Sequence, residues 1–133
     1  MHEREQFEDL LHVIGSGALA HAPGLGGPLL LYAEAEQGTV AASIFYVERG
    51  KSSLSYRFCP LETADHILDL WEAHRRAEPE SWWSMTMVIN EGRFQLDFQY
   101  ADRFDTEKPP LERRTSAVQK CFGDMGIDYS NPG

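Results

Sequence analysis

The sequence predicts an α+β domain: an antiparallel sheet of about five strands with helices packed on one face, in the order α-β-β-β-α-β-β-α. Three observations predict it. Apolar and polar residues alternate from Trp83 to Ile89 and again from Phe94 to Tyr100, with Asn90-Glu91-Gly92 between them, the pattern of two strands joined by a tight turn. Apolar residues at Phe7, Leu10, Leu11 and Ile14 keep helical spacing. Strands come in runs, not in strict alternation with helices, which favours antiparallel pairing. The 133 residues suit one domain spanning 1–133.

The first helix is predicted from His2 to Ile14, with Glu3, Glu5, Glu8 and Asp9 on its other surfaces and Gly15-Ser16-Gly17 as its stop. Ala18 to Pro28 reads as a connector. Its glycines suggest a phosphate cradle, but the spacing and the lysine of such loops are missing. Leu29–Glu36 and Thr39–Glu48 form a hairpin turning near Gln37-Gly38, and Leu54–Phe58 a further strand. Pro60 ends extended structure, and Leu61–Ala77 is a helix that Pro79 terminates. Ala64, Ile67, Leu70, Trp71 and His74 form its apolar stripe, while Glu62, Asp65, Asp69 and Glu72 make the outer face acidic. The main hairpin follows, with Trp83, Met85, Met87 and Ile89 on one face of its first strand and Phe94, Leu96, Phe98 and Tyr100 on one face of its second. A polar loop, Arg103 to Pro110, leads to a last helix over 111–122, closed by Gly123 and Gly126.

Composition narrows the function. An apolar content of 42% supports an ordinary core and argues against disorder. No apolar run approaches the roughly 20 residues a membrane span needs. The charged start Met1-His2-Glu3-Arg4-Glu5-Gln6 is unlike a secretory signal, so a cytoplasmic location is expected. Cys59 and Cys121 then read as reduced thiols. A net charge of −9 repels nucleic acid and anionic lipid and favours encounter with a basic protein; it also simply aids solubility. The five histidines show no metal-ligand spacing, and no serine elbow is present. Neither a cofactor nor a catalytic residue is expected.

Five residues are candidates for contact with a partner. Asp97 falls between Leu96 and Phe98 and points away from the apolar stripe, either as a contact carboxylate or as a solvated residue paired with Arg93. Asp102, Asp105 and Glu107 cluster after the strand and form an acidic rim. A divalent ion is the alternative there, but Arg103 and Lys108 interrupt the cluster and no ligand spacing appears. Trp82 alternates with Trp83. If Trp83 is core, Trp82 is an exposed anchor; if the strand begins irregularly, both rings are buried.

The hairpin pattern aromatic-Ser-x-Thr-x-x-Ile, turn, Gly-Arg-Phe-x-x-Asp-Phe-x-Tyr-x-Asp is carried by Trp83, Ser84, Thr86, Ile89, Gly92, Arg93, Phe94, Asp97, Phe98, Tyr100 and Asp102. It resembles the YezG-like family of bacterial antitoxin and immunity proteins. Glu112-Arg113-Arg114 and Phe122-Gly123 resemble the family's arginine-rich helix and following glycine; Leu31-Tyr32-Ala33-Glu34 and Ile44-Phe45-Tyr46 match more loosely. The resemblance runs over 81–123 and is weak before it. It implies a non-catalytic protein that binds a toxin domain, often a nuclease, delivered by a contact-dependent or specialised secretion system. The competing readings are a type III secretion chaperone, which dimerises around an extended effector segment, and a metal-dependent hydrolase using Asp97, Asp102 and Asp105, which lacks a positioned base or nucleophile.

Overall fold

A computed structural model describes residues 2–36, 39–77, 82–100 and 107–129. Its elements in chain order are α1 (His2–Ala20), β1 (Leu25–Glu36), β2 (Thr39–Glu48), β3 (Leu54–Phe58), α2 (Leu61–Ala77), β4 (Ser84–Asn90), β5 (Arg93–Gln99), α3 (Pro110–Phe122) and β6 (Ile127–Asp128). The strands form one sheet in the order β5-β4-β1-β2-β3-β6. Every pairing is antiparallel except β3 with β6. The α+β class therefore holds, but the sheet has six strands and is mixed, not five and antiparallel. The extra strand covers two residues, too short for any alternation to announce it.

The central strand explains the layering. In β1, Leu29, Leu30, Leu31, Tyr32 and Ala33 are all buried, because both faces are covered. Leu29, Leu31, Ala33 and Ala35 join Ile44 and Tyr46 of β2, Met85, Met87 and Ile89 of β4, and the apolar stripes of α1 and α2 in the main core. Leu30 turns the other way and packs with Phe45, Leu54, Tyr56 and Val118 beneath α3. The expectation of helices on one face is thus corrected: α1 and α2 cover one side and α3 the other. The sequence pattern of α3 carries an apolar stripe but no mark of which side of the sheet receives it.

α1 also runs past the expected stop, through Gly15-Ser16-Gly17 to Ala20. The glycines act here as close-approach positions. A Cβ on Gly17 would overlap the hydroxyl of Thr63 in α2, and one on Gly15 would touch the Met87 and Ile89 side chains beneath. Likewise β1 starts at Leu25, with a register shift between Leu25 and Leu29 where Gly26, Gly27 and Pro28 fall.

The β4–β5 hairpin follows the expected turn. Glu91 (φ 52°) and Gly92 (φ 77°) are both left-handed, the geometry of a two-residue turn whose twist matches its strands. Ser84 to Asn90 then pairs without interruption with Gln99 to Arg93. The irregularity lies at the far end. Trp83 N–H donates to the Gln99 carbonyl at 2.7 Å while Ser84 is also paired with Gln99. Two residues therefore oppose one, as in a β-bulge, and the alternation of faces slips by one. Trp82 consequently enters the core with Met85, and Trp83 is left exposed. The turn at Gln37-Gly38 and the terminator Pro79 lie outside the described residues.

Candidate functional site

Three regions hold the side chains that could meet a partner. The first is an aromatic latch at the end of the hairpin. Trp71 Nε1–H of α2 donates to the Trp82 carbonyl at 2.8 Å, and the Trp82 ring stacks on Phe98 at 5.4 Å between centroids. His74 follows one turn after Trp71 and meets the Tyr100 hydroxyl through Nε2 at 2.8 Å. These contacts tie α2 to β4 and β5. Trp82 has no exposed surface, so it is a core residue and not the docking anchor expected of it; the slipped register before Ser84 is the reason.

The second region is a groove of about 1110 Å³ between α3 and the outer face of β4 and β5. Its floor includes Thr86, Gln95, Asp97 and Gln99, and its wall includes Lys108, Arg113 and Lys120. The groove exists because α3 is clamped over the middle of the sheet. Arg113 grips Glu34 of β1 with Nε–H to Oε2 at 2.8 Å and Nη2–H to Oε1 at 2.9 Å, and the Tyr32 hydroxyl donates to the same carboxylate at 2.6 Å. Burial, and then the neighbouring Glu34 carboxylate, push the Tyr32 phenol well above its ordinary range. Arg114 extends the clamp, its guanidinium 5.1 Å from the Tyr56 ring centroid, with Nη1–H donating to Ser43 Oγ at 3.3 Å. The arginine pair singled out in the sequence is therefore what seats α3 on the sheet.

Asp97 is exposed on the groove floor, as its place between Leu96 and Phe98 requires. Its surroundings differ from an acidic rim, however. Two of the chain's three lysines, Lys108 and Lys120, stand on the facing wall. Among the described residues Asp97 and Arg93 make no ion pair with each other. Glu107 is exposed just before α3, and Asp102 and Asp105 lie outside the described residues. No group of three or more His, Cys, Asp or Glu among the described residues is placed to hold a metal ion.

The third region is the outer surface of α2. Glu62, Asp65, Asp69 and Glu72 are all exposed, at spacings that keep them on one side of the helix. No lysine or arginine occurs between Leu61 and His74. Arg75 ends the run, with its guanidinium 5.4 Å from the Trp71 ring centroid. α1 packs against α2 and adds exposed Glu8 and Asp9. Among the described residues the negative charge is thus concentrated on the α1–α2 layer, while α3 is the basic side. In the sequence the α2 carboxylates mark an outer face and are not among the candidate contact residues; the signal that distinguishes them is the absence of any lysine or arginine among them.

Burial also decides the thiols. It pushes Cys59 up to about 11 and raises Cys121, so neither is a ready thiolate at neutral pH.

A family model described as immunity protein YezG-like matches residues 58–131. That span runs from the end of β3 through β6 and contains the acidic helix, the hairpin and the arginines of α3, while their partners Glu34, Ser43 and Tyr56 precede it. No curated protein matches the chain.

Proposed function

The chain belongs to the YezG-like family of immunity proteins, and on that premise we propose that it neutralises a cognate toxin domain by binding it with the acidic surface of α2. The observation that carries this reading is the run of exposed carboxylates at Glu62, Asp65, Asp69 and Glu72, with no cation among them. A toxin domain that cuts nucleic acid must grip phosphates, so its cleft is basic. Carboxylates spaced along a rigid helix offer that cleft a substitute for phosphate, steer the encounter and occlude the active site. The protein acts by contact, without chemistry of its own. The nuclease identity of the toxin and the cytoplasmic setting in which the two meet are parts of the same proposal.

The test is inhibition of the cognate toxin domain, sought first among the products of neighbouring genes, measured over a salt series. Stoichiometric inhibition that weakens as salt rises supports the reading. Inhibition indifferent to salt, or binding only to an unfolded segment of the neighbouring product, contradicts it; the second outcome is the behaviour of a secretion chaperone.

A further inference from the structure

The two edges of the sheet are treated differently. One is closed by β6, a two-residue strand. The other, β5, is seven residues long and pairs with β4 without a break in register. It contains no proline and no lysine, and no described strand covers its outer side. Natural sheets blunt such edges with short strands, bulges, lysines or prolines, because an open strand is a template for another.

The outward groups can be assigned. Asn90 and Arg93 close a two-residue turn and form a hydrogen-bonded pair, after which hydrogen-bonded pairs alternate. Gln95 and Asp97 therefore bond inward to β4, and Phe94 and Leu96 aim their N–H and C=O groups at the open side. The Phe94 side chain is 39% exposed although it lies on the core face. On the opposite face Arg93 and Asp97 carry opposite charges four residues apart.

We propose that this edge pairs with β5 of a second copy of the chain, antiparallel about Gln95, so that Arg93 of each copy faces Asp97 of the other. In that register Phe94 meets Leu96 of the second copy in hydrogen-bonded positions and continues the apolar face across the junction. The Arg93–Asp97 pairs fall in non-hydrogen-bonded positions, where opposed side chains approach most closely. A strand opposing itself with this pattern gains two ion pairs per dimer and juxtaposes no like charges. The carboxylates of α2 take no part, so the assembly would leave the proposed toxin surface free.

Sedimentation equilibrium of the full chain tests this with Arg93→Asp, Asp97→Arg and the double exchange. Both positions are exposed, so circular dichroism should show each variant folded. The expected result is a dimer whose dissociation constant rises roughly tenfold or more in each single variant and returns toward the starting value in the double exchange. A monomer at every concentration overturns the proposal. So does a dimer that ignores the single reversals, or a double exchange that restores nothing. If the free protein is monomeric and the reversals abolish toxin binding instead, the edge takes a strand of the toxin, and the dimer is wrong while the immunity role stands.

Discussion

Arg113 of α3 and Glu34 of β1, 79 residues apart in sequence, form a two-bond guanidinium–carboxylate pair at 2.8 and 2.9 Å. Both side chains are largely shielded, so the pair is a positioned clamp and not a solvated surface contact. Arg113→Ala should therefore destabilise by about 1–3 kcal/mol, since Glu34 keeps its burial and loses its cation. Arg113→Lys should recover only part of this, because an ammonium cannot make the planar two-bond contact. Chemical denaturation measures both, and equal stability of the three proteins would show that α3 is held by its apolar contacts alone.

The same cluster predicts an alkaline effect. Tyr32 holds its proton more tightly in the folded chain than in the unfolded one, through burial and the Glu34 carboxylate. Its contribution is therefore intact below the ordinary tyrosine value, about pH 10, and is lost as pH rises from there toward the raised value. Stability measured between neutral pH and pH 11 should fall less steeply in Tyr32→Phe than in the natural chain. Identical slopes would place Tyr32 in a more solvated setting than the fold gives it.

The two adjacent tryptophans should respond oppositely. Trp82→Ala removes a fully buried ring that stacks on Phe98 and should cost about 3–5 kcal/mol. Trp83→Ala, at a partly exposed position, should cost about 1 kcal/mol or less. Thermal melts with the order reversed would restore the uninterrupted alternation and remove the bulge at Gln99.

Gly17→Ala tests the contact between α1 and α2. Alanine favours a helix over glycine by about 1 kcal/mol, so a free helical position would be stabilised. Here the added methyl meets the buried Thr63, whose branched side chain has little room to turn. A net loss of about 1–3 kcal/mol is expected, and a gain in melting temperature would show that the helices are not in close contact there.

Most of the fold could be read from the residues because strand alternation and helical stripes are local signals. Leu54–Phe58 and Leu61–Ala77 occur with the expected bounds. The failures were non-local. Gly15 and Gly17 read as a stop until their neighbours, Met87 and Thr63, are in place. Trp82 and Trp83 exchanged faces because a bulge against Gln99 is written in pairing, not in the hydrophobic pattern. The side of the sheet that α3 occupies depends on Arg113 finding Glu34. Of the candidate contact residues, Asp97 is exposed as its parity implied, yet the lysines facing it could not be foreseen from a separation of more than ten residues.

The central claim, that the α2 carboxylates carry toxin binding, is tested most directly by calorimetric titration of the cognate toxin domain with the natural chain and two variants. One converts Glu62, Asp65, Asp69 and Glu72 to lysine; the other converts Asp97 and Glu107. The account predicts that the first variant stays folded and loses measurable affinity while the second binds nearly as well as the natural chain. Unchanged affinity in the α2 variant, with binding lost from the Asp97 variant, would contradict it and move the contact to the groove beneath α3.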